Sequence, residues 1–306
     1  MSRRRVVSVS PYPASEAFAA LLAHAAPGLE QVDASARTYA RLVRTSSGPL
    51  LVEAAFGADE VTVDIVDTED VGGSTAPGAR ALEAVVEAGA LGEVRAAVDG
   101  WLDLDTDLGA VAAHLGADPV LGPLVAARPS LRILGSFDGF ESTVMTVLGQ
   151  HVSLLAARTF GGRLVHRWGL LHAASGLVGF PSPATLAAVD PVELQSVVGV
   201  TGQRARTVVA LARACMDGLV VAPGVDPVDV RRDLVALPGI GPWTVEYVAM
   251  RAMRDPEAFP AGDLVLRKAL GLDTPREVTA RATAWSPWRA YAAIHLWHHA
   301  AYARHL

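Results

Sequence analysis

The chain has 306 residues, 51% of them hydrophobic, which is enough to bury the cores of two domains. Its one cysteine, Cys215, excludes an internal disulfide and is consistent with a cytoplasmic location. The net charge of −6 argues mildly against a polyanionic partner, but residues 1–120 carry 8 Arg and 18 Asp/Glu, a net −10, whereas residues 121–306 carry 18 Lys/Arg and 14 Asp/Glu, a net +4.

The first eleven residues have no long apolar stretch, so a secretory signal is not expected, and the basic run Arg3, Arg4 and Arg5 is assigned no role. Residues 15–26 read as a helix. Residues 29–33, 38–44, 50–56 and 61–66 are short runs rich in Val, Leu and Thr, separated by turn residues such as Ser46-Ser47-Gly48 and Gly57-Ala58-Asp59. They predict an antiparallel sheet on which the first helix packs. Residues 71–78 read as a loop, and 79–98, 105–115 and 119–126 as helices. From Phe137 helices follow almost without a break, over 139–148, 153–168, 183–189, 191–197, 203–217 and 227–236. The fold class is therefore α+β: an N-terminal α/β domain with an antiparallel sheet over residues 1–120, then an all-helical domain over 121–306. Charges and glycines interrupt the longest apolar stretches, so no membrane helix is expected.

Residues 237–242 read Leu-Pro-Gly-Ile-Gly-Pro. Pro238 disfavours helix at Leu237, so one helix ends there. Gly239 and Gly241 permit a tight turn without side chains in the way, and Pro242 suits the first position of the next helix. The free N–H groups at that start favour an anion, a DNA phosphate being the obvious one; a helix–turn–helix corner without a ligand has the same pattern. In the second helix, over 242–253, Trp243 and Tyr247 share one face, opposite Val245, Val248, Ala249 and Ala252. That pair is either core or the wall of a pocket. Asp263 follows Pro260-Ala261-Gly262 and precedes an apolar helix, so it is a good N-cap as well as a rigidly held carboxylate close in sequence to the hairpin. Arg204 and Arg206, at a helix entry, either meet phosphate or lie in solvent, and His295, His298 and His299 have no carboxylate or cysteine beside them in sequence and read as ordinary histidines.

Hairpin, Gly/Pro loop and aspartate together resemble the helix-hairpin-helix DNA glycosylases. The flanking segments, namely residues 12–25, Ala127-Arg128-Pro129-Ser130-Leu131-Arg132, Phe137-Asp138-Gly139-Phe140-Glu141, Leu148-Gly149-Gln150-His151-Val152-Ser153, and Trp285-Ser286-Pro287-Trp288-Arg289 on to Ile294-His295-Leu296-Trp297, resemble the AlkA-type DNA-3-methyladenine glycosylase II family. The resemblance implies an all-helical helix-hairpin-helix glycosylase core. It implies a monofunctional enzyme that acts as a monomer on double-stranded DNA with alkylated bases, flips out N3- and N7-alkyl purines and hydrolyses the N-glycosidic bond in base excision repair. Asp263 would be catalytic, Trp243, Tyr247 and Trp297 would meet the base, and Gln150, His151, Gly239, Ile240 and Gly241 would touch DNA. Carbonyls of Val235, Leu237 and Ile240 match the family's site for a bound Na+ or K+. Bifunctional members carry a lysine nucleophile where this chain has Trp243; its single lysine is Lys268, so lyase activity is not expected. One cysteine cannot hold the four-cysteine iron–sulfur cluster of some members, so no cofactor is required.

The chain departs from the family pattern at two places. His151 stands where the family presents an apolar wedge, although by residue type it is an ordinary turn histidine. The first helix places Ala17, Ala19 and Ala20 where relatives add aromatic rings, with Phe18 nearby. The rival readings are a non-catalytic helix-hairpin-helix protein that binds damaged DNA, in which Asp263 is only a cap, and a helical interaction protein without DNA binding.

Overall fold

The computed structural model describes residues 2–67 and 77–302. In chain order, strand β1 (Ser2–Val9) leads to helix α1 (Ala14–His24) and to strands β2 (Glu30–Asp33), β3 (Thr38–Thr45), β4 (Gly48–Phe56) and β5 (Val61–Asp67). Helices α2 (Pro77–Trp101), α3 (Leu108–Leu115), α4 (Leu121–Ala127), α5 (Gly139–Gly149) and α6 (Leu154–Trp168) follow. A small hairpin, β6 (Leu170–Leu171) and β7 (Val178–Gly179), precedes α7 (Pro183–Ala187), α8 (Pro191–Val198), α9 (Gly202–Met216), α10 (Pro227–Val235), α11 (Pro242–Ala252), α12 (Leu264–Leu270), α13 (Pro275–Ala282) and α14 (Arg289–Tyr302). The mixed sheet-and-helix N-terminal part followed by a helical core is the architecture expected from the sequence.

Helix starts follow local chemistry. Asp190 and Asp226 cap α8 and α10, each with proline at the first helical position. Thr274 and Glu277 form a reciprocal capping box at α13. Asp107 accepts the N–H groups of Gly109 and Ala110, which sets the start of α3 at Leu108, three residues later than expected.

The chain divides into two compact units, each made of two segments: Met1–Asp99 with Leu148–Ala205, and Gly100–Val147 with Arg206–Leu306. The first unit holds a five-stranded antiparallel sheet in the order β1-β5-β4-β3-β2. The four strands read from sequence are present, and β1 is an additional edge strand. Arg3 and Arg5, assigned no role from sequence, lie on it: Arg3 pairs with Glu53 and Arg5 with Asp64 across the sheet. A basic run at a chain end looks solvated when its acidic partners lie some 50 residues away. Helix α1 buries Ala14, Ala17 and Phe18, and Phe18 packs on Phe56 with centroids 5.6 Å apart. Leu42, Leu51 and Val66 of the sheet form a core with Leu177, which the β6–β7 hairpin supplies. That hairpin has two-residue strands, too short to give a sequence pattern. The expected loop over 71–78 lies mostly outside the described residues; Pro77 and Gly78 already belong to α2.

The second unit is helical. Ala290, Ala292 and Ala293 of α14 are fully buried, and small side chains there let neighbouring helices approach. Trp285 is also fully buried, and its Nε1 donates to Asp118 at 2.8 Å. Burial favours the neutral acid, but bonds from Arg281, Trp285 and the N–H groups of Val120 and Leu121 hold the Asp118 carboxyl down at about 2. Among the described residues no helix is long and apolar enough to cross a membrane.

Candidate active site

In the second unit, α10 ends at Val235 and the chain turns through residues 236–241 into α11. Gly239 has φ +90°, a left-handed conformation that requires glycine here. Gly241 is extended and needs no such freedom; its contribution is room, since a Cβ there would meet no atom within 4 Å. The Ile240 N–H donates to the Leu237 carbonyl at 3.1 Å, and the Ile240 side chain is buried beneath the turn. Pro238 and Gly239 are exposed, and Pro242 opens α11 as expected. The first amides of a helix have no partner within the helix, and here they are preceded by a glycine with open space around it, an arrangement that favours an anion.

Three contacts invisible in the sequence brace this turn. Thr207 Oγ1 of α9 donates to the Pro238 carbonyl at 2.7 Å. Arg231 of α10 donates to Glu246 of α11 at 2.8 Å and to Asp255 at 2.6 Å, so one guanidinium ties both flanks of the hairpin. Burial alone would lower the Arg231 pKa, but the two carboxylates raise it above its ordinary value. Glu246 also accepts the Phe259 N–H at 2.8 Å, which fixes the start of the loop leading to Asp263.

Asp263 is the N-cap of α12: its Oδ1 accepts the N–H groups of Val265 at 2.9 Å and Leu266 at 3.0 Å. The same oxygen accepts Trp297 Nε1 at 3.0 Å, and Oδ2 accepts Trp243 Nε1 at 2.9 Å. Four donors therefore fix the carboxylate, three on Oδ1 and one on Oδ2. Trp243 stacks on Tyr247 with centroids 5.1 Å apart and planes 13° from parallel, and Tyr247 lies 6.2 Å from Trp297. The structure thus brings together Asp263, Trp243, Tyr247 and Trp297, all half-buried, while Thr244, Val245, Val248, Ala249, Met250 and Ala252 form the buried side of α11. Arg251, one turn after Tyr247 and not anticipated, lies 5.6 Å from that ring and donates to the Leu134 carbonyl at 2.7 Å. Tyr247 is thus engaged by Trp243 and Arg251 as well as by Trp297.

Lys268 is exposed on α12, five residues past Asp263. The expected cation ligands are the carbonyls at the end of α10 and in the hairpin; neutral oxygens suit Na+ or K+. The Leu237 carbonyl is already used once, by Ile240 N–H, and keeps a second lone pair. His295 is buried, and burial first, then His298 and Arg128, take its pKa down to about 4. Among the described residues no group of three or more His, Cys, Asp or Glu is placed to hold a metal ion.

Gln150 and His151 belong to the first unit. His151 is exposed on the turn between α5 and α6 with φ +52°. Arg204, read from sequence as meeting phosphate or solvent, donates to the Gln150 carbonyl. Its partner lies 54 residues away, so no local pattern announces the contact.

Known proteins match this chain along most of its length. Residues 5–138 match the AlkA N-terminal domain, and residues 144–286 match the HhH-GPD superfamily base excision DNA repair proteins. The probable bifunctional transcriptional activator/DNA repair enzyme AlkA of Mycobacterium tuberculosis is 39% identical over 94% of this chain and 55% of its own length, so the chain spans about half of that relative. The DNA-3-methyladenine glycosylase of Bacillus subtilis is 30% identical over 64% of this chain and 69% of its own length. The fold matches that of the 3-methyladenine DNA-glycosylase from Archaeoglobus fulgidus with a TM-score of 0.76 over 99% of both chains, at 18% identity. Two family models in tandem, a relative matched over 69% of its length and the hairpin followed by a capped aspartate agree: the chain belongs to the AlkA-type DNA-3-methyladenine glycosylase II family of the helix-hairpin-helix–GPD superfamily.

Proposed function

We propose that this protein is a monofunctional DNA glycosylase that removes N3- and N7-alkyl purines from double-stranded DNA in the cytoplasm. The observation that carries the reading is the Asp263 carboxylate, fixed by four donors of which two are the indoles of Trp243 and Trp297, the first of them stacked on Tyr247. Relatives named as 3-methyladenine glycosylases support it.

The chemistry follows from charge. An alkylated purine is cationic, and aromatic faces attract a desolvated cation by up to about 2 kcal/mol. It is also a good leaving group, so no strong general acid is needed. As the N-glycosidic bond breaks, positive charge develops on the sugar. Oδ2 of Asp263 accepts one donor against three on Oδ1, so it is the oxygen with capacity left to face that charge or to orient the attacking water. The electron pair of the broken bond leaves with the purine and neutralises its charge, the water oxygen bonds to the sugar carbon, and the water's proton passes to Asp263, which leaves an abasic sugar and a free base. Trp243 occupies the place of a Schiff-base lysine, so the strand stays intact. The hairpin amides hold a phosphate of the same strand, and His151 enters the duplex in place of the flipped base. The carbonyls of Val235, Leu237 and Ile240 would hold a Na+ or K+, which would offset charge at that phosphate.

The capping bonds of Asp263 favour a second reading, a protein that binds damaged DNA without cutting. Base-release profiling on DNA treated with a simple methylating agent decides between them. Release of methylated purines without strand cleavage is expected; lesion binding with no release leaves the second reading standing.

A further inference from the structure

We propose that Arg204 is a positioning residue: through the Gln150 carbonyl it holds the α5–α6 turn in the form that presents His151 outward. The proposal rests on the reading of His151 as the group that enters the duplex.

The turn is short. Helix α5 ends at Gly149, and Ser153 caps α6 by accepting the Ala156 N–H at 3.2 Å. Between them His151 adopts φ +52°, a region that residues with a Cβ rarely occupy, and its imidazole is exposed. A side chain kept in this conformation without glycine needs its surroundings to hold it there. Arg204 is suited to that task. It lies in the first turn of α9, whose Thr201 Oγ1 accepts the Arg204 N–H at 3.4 Å, and its guanidinium donates to the Gln150 carbonyl oxygen. The peptide group joining Gln150 to His151 is one rigid plane. Anchoring its oxygen therefore restrains the orientation of that plane, and with α5 and the α6 cap held on either side it restrains φ of His151 together with ψ of Gln150. A charged donor makes this a strong anchor. Side chain and turn both belong to the first unit.

A direct Arg204–phosphate contact is the competing account, and the two differ in coupling. If Arg204 acts through the turn, it has nothing to act on once His151 is gone. The test is a double-mutant cycle with Arg204→Met and His151→Gly, glycine being at ease with positive φ. The readouts are kcat/KM for methylpurine release, and 2-aminopurine fluorescence next to a tetrahydrofuran abasic analogue as a measure of flipping. Each single variant should lose about 10-fold in both, and the double variant should be no worse than the poorer single. The log–log salt slope of binding should not change. Multiplied losses in the double variant, or a slope lower by about 1 for Arg204→Met, would overturn the positioning role. Should Arg204→Met fail to fold, Arg204→Lys takes its place in the cycle, because lysine keeps the charge for a phosphate but lacks the planar fork. A silent His151→Gly beside a defective Arg204→Met removes the wedge reading and the proposal with it. A defective His151→Gly with multiplied losses removes the positioning role alone.

Discussion

Replacing Asp263 with Asn separates the two roles of this residue. Asparagine caps a helix about as well as aspartate, so its remaining carbonyl oxygen can keep the N–H groups of Val265 and Leu266 and start α12 correctly. Its amide nitrogen then falls where Oδ2 accepts Trp243 Nε1 at 2.9 Å, and donor faces donor. A half-buried indole N–H left without its acceptor costs about 1–3 kcal/mol. Stability should fall by that amount in urea denaturation. In the double variant Asp263→Asn/Trp243→Phe the stranded donor is gone and an aromatic face remains, so at least about 1 kcal/mol of the loss should return. Catalysis should not return, because loss of a pre-placed charge removes about 2.7–4 kcal/mol of transition-state stabilisation, a factor of roughly 100–1,000. The assay is single-turnover release of methylated purines, with binding to an abasic-analogue duplex as the control for docking. Release by Asp263→Asn within a few-fold of wild type would refute the catalytic role. A double variant no more stable than the single would refute the indole–carboxylate pairing.

Other consequences can be checked independently. The product should be an intact abasic strand, and a borohydride-trapped covalent adduct that disappears in Lys268→Ala would show lyase chemistry instead. His295 has its pKa lowered to about 4 from 6.5, chiefly by burial. The unfolded chain therefore takes up a proton across this window while the folded one does not, and the contribution of neutral His295 to stability is present above pH 6.5 and is lost as pH falls toward 4. Denaturation of His295→Leu should show a flatter dependence between those limits; a curve as steep as wild type counts against it. In mixed duplexes a bulky N7-alkyl purine should leave faster than hypoxanthine, since a neutral base gains nothing from the cation attraction of the rings, and faster hypoxanthine release would sink that preference.

Much of this was legible along the chain because its causes are local. Prolines at first helical positions, aspartate and threonine caps and the alternation of strands β2 to β5 all act within a few residues. The hairpin and Asp263 could be read for the same reason. What stayed hidden depends on partners distant in sequence. Arg3 and Arg5 need Glu53 and Asp64, Arg204 needs Gln150, and the brace on the hairpin needs Thr207, Arg231 and Asp255 at once. The indoles of Trp243 and Trp297 are instructive in another way. Residue type suggested ring faces for a base, and helical spacing put Trp243 beside Tyr247, but periodicity is silent about where an indole N–H points. Both point at the carboxylate.

The chain passes from one unit to the other at residues 99–100, 147–148 and 205–206, each time inside a helix: α2, α5 and α9. No uninterrupted stretch of the gene therefore encodes either unit. A truncation after residue 120, where the composition shifts, would strip the sheet of Leu177 and deprive the helical unit of the start of its first segment, Gly100 to Val120. Deletion mapping is the wrong instrument for assigning activities to parts of this protein, since a fragment that fails would report only a missing half-core. A single recombination crossover likewise cannot exchange one unit with a homologue and spare the other: wherever it falls, it divides at least one unit between two parents and tests whether substitutions in its two segments are compatible.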